Sequence, residues 1–83
     1  MTREIVTAVD AKGATARFLL EVFEDGGKWT STLVRLDERG RPAPGKVAPR
    51  FYGVTPEQAR RRMLSVLENQ FEELRIVPAG ATA

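Results

Sequence analysis

"ATARFLLEVFEDGGKWTSTLVRL", Ala14 to Leu36, decides the fold. In its first half Ala16, Phe18, Leu20 and Val22 fall on one side of an extended chain, and Arg17, Leu19, Glu21 and Phe23 on the other. A period of two marks a strand with one face toward a core. The second side is mixed rather than polar, so this strand carries apolar groups on both faces. Asp25-Gly26-Gly27 then interrupts it, and glycine supplies the positive φ that a tight hairpin requires. Lys28–Leu36 is the returning strand. A three-residue Asp-Gly-Gly loop pairs Phe23 with Trp29, Leu19 with Leu33 and Phe18 with Val34. Two-residue turns through Asp25-Gly26 or Gly26-Gly27 give other registers. The three-residue loop is preferred because it sets aromatic against aromatic and aliphatic against aliphatic.

Upstream, "REIVTAVD" (Arg3–Asp10) is short and rich in β-branched residues, a strand that ends at the turn Asp10–Gly13. Downstream, Asp37–Lys46 is a charged loop broken by Pro42, Pro44 and two glycines. "VAPRFYGV" (Val47–Val54) reads as a short strand. Pro49 cannot donate to a ladder, so this piece is an edge strand or begins after the proline.

The clearest element is the helix that follows. Thr55 caps it, Pro56 takes the favoured first position, and Thr55 with Gln58 makes a Thr-x-x-Gln capping box. At about 100° per residue, Ala59, Met63, Leu64, Val66, Leu67, Phe71 and Leu74 share one broad arc, the face that lies on the sheet. "RIV" (Arg75–Val77) is a candidate return strand. The expected class is α+β: an antiparallel meander of three to four strands with one C-terminal amphipathic helix on one face. Residues 1–77 form a single domain and 78–83 a loose tail.

Composition narrows the chemistry. The 83 residues contain neither cysteine nor histidine. That removes disulfides, a Cys nucleophile, thiolate or imidazole metal ligation and the usual general base near neutral pH. Ser31 and Ser65 have no base to activate them, and no phosphate-cradling glycine motif is present. Neither an enzyme, a cofactor, a metal site nor a small-molecule substrate is expected. No apolar run approaches about 18 residues, and "MTREIVTAVD" is charged from the start. A soluble, cytoplasmic, bacterial-type protein without a membrane association is the expectation.

The formal net charge is +2, but it is unevenly spread. Between Arg39 and Arg62 seven cations stand against Glu57 alone, a net +6 that leaves −4 for the rest. Arginines interleaved with Phe51 and Tyr52 are what nucleic-acid surfaces use for phosphate contact and stacking. The candidate set is Arg39, Arg41, Lys46, Arg50, Tyr52, Arg61 and Arg62. On the helical wheel Arg60, Arg61 and Arg62 point in different directions. Arg60 lies at the edge of the apolar arc and serves the fold, and Glu57 stands four residues before Arg61, the favourable order for an ion pair. The arginines sit near the helix N-terminus, against the preference of the macrodipole.

One helix covers one face of the sheet. In the preferred register Leu19, Phe23, Leu33 and Trp29 then lie on the far side, a candidate interface for a second subunit or another protein. A homodimer acting through protein–protein contacts is the leading expectation, with nucleic acid as the alternative partner.

Asp25, Gly26, Gly27 and Trp29, followed by Gly53, Thr55, Glu57 and Ala59, resemble the small HicB-like antitoxin family, with its acidic-Gly turn and G-x-T-x-E-x-A helix start. The resemblance covers about half of the chain. It implies the meander-and-helix architecture more than toxin neutralisation. "LDERGRPAPG" replaces that family's Pro-Asp-Leu-Pro-Gly segment, and no DNA-binding module follows the helix.

Overall fold

The structure, a computed structural model, describes residues 2–43 and 49–79. Its elements run β1 (Thr2–Val9), β2 (Thr15–Asp25), β3 (Lys28–Leu36), β4 (Arg50–Gly53), α1 (Pro56–Gln70) and β5 (Glu73–Pro78). All five strands form one antiparallel sheet in the order β4-β3-β2-β1-β5, and α1 packs on one of its faces. The fold is α+β. Strands β1 to β4 are a meander, and the chain then crosses by way of α1 to add β5 beside β1.

The central hairpin takes a register one residue away from the preferred one. Asp25 pairs with Lys28, so the loop is Gly26-Gly27 alone. Both glycines have positive φ, 62° and 81°. A two-residue turn with two positive φ values matches the right-handed twist of its strands, and only glycine adopts it freely. Turn geometry therefore outweighs the aromatic pairing. Trp29 lies opposite Glu24, Phe23 opposite Thr30, Leu20 opposite Leu33 and Leu19 opposite Val34. Since side chains alternate, the shift carries Leu33 and Trp29 to the helix side. Leu33 is buried in the core, and Trp29 packs against it.

Val6, Leu20, Val22 and Leu33 from the sheet meet Ala59, Met63, Leu64 and Leu67 from α1. One polar contact is buried with them: the Ser31 hydroxyl donates to the Ala59 carbonyl at 2.7 Å, fixing α1 on β3. At the helix start Thr55 Oγ1 accepts from the Gln58 N–H, while Gln58 Oε1 accepts from the Val54 N–H at 2.8 Å. The reciprocal half of the box thus reaches one residue further back than the pattern suggests.

The helix ends at Gln70, before the last two residues of its apolar arc. Phe71 is extended (φ −128°), and the Glu72 N–H donates to the Val9 carbonyl at 2.8 Å, handing the chain to β1. Leu74 and Ile76 then alternate inward at a period of two. Phe71 still closes the core, edge-on to Phe18 with ring centroids 6.0 Å apart. Val47 and Ala48, expected at the start of the fourth strand, lie outside the described residues, and β4 begins after Pro49. Strand β5 extends through Pro78, and the Ala79 N–H donates to the Arg3 carbonyl at 2.9 Å.

Candidate interaction surface

The three consecutive arginines divide as the helical wheel requires. Arg60 forms a two-pronged pair with Glu4 of β1, Nε to Oε1 at 2.6 Å and Nη2 to Oε2 at 3.1 Å. The hydrogen bond to Glu4 raises the Arg60 pKa above its ordinary value, against the opposing effect of partial burial and with help from the Glu4 charge. Arg62 donates to the Tyr52 carbonyl on edge strand β4. Two of the arginines set against the macrodipole thus tie α1 to opposite halves of the sheet. Arg61 is exposed and makes no ion pair among the described residues, so the expected Glu57–Arg61 pair is not formed. Glu4→Gln removes the charge at the Arg60 contact while keeping its shape. It is expected to lower stability by about 0.5–1 kcal/mol, read by urea unfolding, because the pair is partly solvated. A loss indistinguishable from zero would show that Arg60 does not hold the helix.

The basic residues are not gathered on one surface. Arg50 and Tyr52 alternate to the sheet face opposite α1, where they pair with Thr32 and Thr30. Arg39 and Arg41 lie in the Asp37–Ala43 turn. There Asp37 Oδ1 accepts from the Arg39 and Arg41 N–H groups, and Pro42 bridges back to Leu36. Gly40 and Pro42 of this turn border the open face, and Arg17 of β2 donates to the Glu38 carbonyl at 3.0 Å. Arg61 and Arg62 therefore stand on the helix side, and the other candidates stand on or beside the open side. Lys46 lies outside the described residues.

The open face has an ordered layout. Cross-strand pairing places Val34, Leu19, Ile5 and Val77 in one row across β3, β2, β1 and β5. This row is apolar throughout, and Val77 is 56% exposed. On one side of it runs a row of Arg50, Thr32, Glu21 and Arg3. On the other runs Leu36, Arg17, Thr7 and Arg75. Beyond the first of these rows, Tyr52 and Phe23 flank Thr30, which is fully buried although it belongs to the open side. Its hydroxyl has no hydrogen-bond partner among the described residues. Of the four expected interface residues, Leu19 and Phe23 are on this face; Leu33 and Trp29 are on the other.

A cleft of about 270 Å³ on this face is lined by Ile5, Leu19, Leu36, Gly40 and Pro42, with Arg3 and Ala79. Two ion pairs stay within the open face or its margin, Arg3 with Glu21 at 2.9 Å and Arg75 with Glu73 at 2.8 Å. A larger open groove, about 520 Å³, lies where the start of α1 meets β1 and Pro78. Its two cations, Arg3 and Arg60, are each already held by a carboxylate.

Comparison with family models, curated proteins and solved structures matched none of them to this chain. Its chemistry rests on the residues themselves. Among the described residues no three His, Cys, Asp or Glu side chains come together as a metal site, and no helix is long and apolar enough to cross a membrane. Ile5, Val34 and Val77 were missed as members of the open face. Val34 becomes readable only once the Gly26-Gly27 turn sets the β2–β3 register, and Ile5 and Val77 only once β1 is paired with β2 and β5.

Proposed function

We propose that this chain is a non-enzymatic interaction domain acting through protein–protein contacts, with the open face of its sheet as the contact surface. The observation that carries the reading is the row Val34–Leu19–Ile5–Val77, four apolar side chains across four strands on the side that α1 leaves bare. A sheet that needs only one buried face places polar residues on the other. Here the flanking rows are mostly polar but the row between them is apolar, with Ile5, Leu19 and Val34 half-buried and Val77 exposed, and Arg3 and Arg75 beside it are each paired with a carboxylate.

The chain has no cysteine, so Leu19→Cys installs a single thiol on this row. In the undiluted extract from which the protein is purified, that thiol is expected to react several-fold more slowly with a maleimide than after strong dilution. Dilution releases protein contacts. Equal rates would remove the open face as a contact surface.

A second reading, nucleic-acid binding, draws on one observation. Arg17, Arg50, Tyr52 and Phe23 share the open face, Arg39 and Arg41 lie in the turn beside it, and these four arginines have no ion-pair partner among the described residues. Glu21, Asp37, Glu38 and Glu73 stand among them, which weakens the field a phosphate chain would meet. Salt separates the two readings, because phosphate contacts release counterions and weaken steeply as salt rises, whereas burial of an apolar row does not.

A further inference from the structure

We infer that the open face is covered by a second copy of this chain, related by a two-fold axis that runs along the Val34–Leu19–Ile5–Val77 row. The inference rests on the reading of that face as a contact surface and names its occupant. An axis lying in the plane between two such faces, along this row, keeps each strand opposite its own copy and exchanges the two flanking rows. The apolar row then meets itself.

On β2 the flanking residues are Glu21 on one side of Leu19 and Arg17 on the other. The exchange therefore places Glu21 opposite Arg17 of the second copy, and does so twice. The Asp37–Ala43 turn borders the Arg17 side of the row, through Gly40, Pro42 and the Glu38 carbonyl that accepts from Arg17. A self-complementary patch of this kind is what an isologous dimer requires. Arg50 lies on the edge strand, at the rim, where water and salt screen like charges.

The available area is of the right order. Five strands about 4.8 Å apart and roughly seven residues long present about 550 Å² in projection, and more as accessible surface. A standard interface buries about 800 Å² per partner. Glu21, already paired with Arg3 at 2.9 Å, is shared with Arg17 of the second copy, and Arg75 brings its own counter-charge in Glu73.

The test exchanges the charges. Wild type at tens of micromolar is expected to scatter light as a dimer, twice the 9.2 kDa chain mass. Arg17→Glu and Glu21→Arg each set like charges opposite one another twice, and each alone is expected to be monomeric with an unchanged circular dichroism spectrum. Mixed one to one, they restore both opposite-sign contacts, and the dimer mass returns. A monomeric wild type, single variants that remain dimeric, or a folded mixture that stays monomeric would each overturn the inference. Salt-sensitive retention of an oligothymidylate by a monomeric wild type would do the same and would name nucleic acid as the occupant. The Leu19→Cys thiol keeps the two levels apart: if it stays protected while the mixture fails, the contact surface stands and only the second copy in this register falls.

Discussion

Leu20→Ala is expected to lower the unfolding free energy by about 3 kcal/mol, whereas Leu19→Ala, one residue away, should lower it by less than about 1 kcal/mol. Leu20 is fully buried between the sheet and α1, opposite Leu33, and its removal leaves a cavity that the surrounding residues cannot close. Leu19 points to the open face and is only partly covered. For a domain of this size, whose total stability is about 5–10 kcal/mol, a loss of about 3 kcal/mol corresponds to a fall in Tm of more than about 12 °C. Urea unfolding at submicromolar protein, monitored through Trp29, measures both variants without a contribution from assembly. Similar losses for the two leucines would mean that β2 does not present its faces in this register.

Gly53→Ala should destabilise by a comparable amount, about 2–3 kcal/mol. The reason is space rather than backbone conformation. A Cβ at Gly53 would lie 2.7 Å from the backbone nitrogen of Ala59 and 3.0 Å from Gln58 Cβ. Backbone cannot swing aside, so α1 would have to lift from β4 at the turn that Thr55 caps and that the Ser31 hydroxyl holds. Gly26→Ala is the informative comparison. Nothing lies within 4 Å of that position, yet its φ is +62°, so the expected loss is the conformational strain alone, about 1–2 kcal/mol. Thermal unfolding of the two variants measures the difference. A Gly53→Ala protein as stable as wild type would show that helix and strand do not approach this closely.

The class of fold was legible because its signals are local. Alternation in Ala16–Val22, the diglycine turn and the Thr55-Pro56 helix start are each contained within about one turn or one strand pair. The hairpin register was not, since two kinds of evidence conflicted. Aromatic pairing of Phe23 with Trp29 favoured a three-residue loop, and twist compatibility at Gly26-Gly27 prevailed. That single step moved Leu33 and Trp29 to the helix side and brought Val34 to the open side. The end of α1 was illegible for a different reason. Leu67, Phe71 and Leu74 fit a helical arc, but the chain leaves the helix at Phe71 because β1 offers an edge for β5. The arginines could be sorted by direction on the wheel, but their long-range partners, Glu4 and the Tyr52 carbonyl, could not be read from spacing.

The pairing of β5 with β1 has a consequence for how the molecule comes into being. Val6 and Ala8 sit in a strand whose second neighbour is Leu74–Ile76, close to 70 positions later in the chain. The β2–β3 hairpin closes over two residues and can form as soon as it has been synthesised. The N-terminal strand must wait until β5 has emerged, and its Arg60–Glu4 strap also spans 56 positions. Contacts at such separation form late and slow the search for the native state. Strand β1 therefore keeps an unfinished sheet edge until β5 has been made, and it is among the last strands to be fully enclosed.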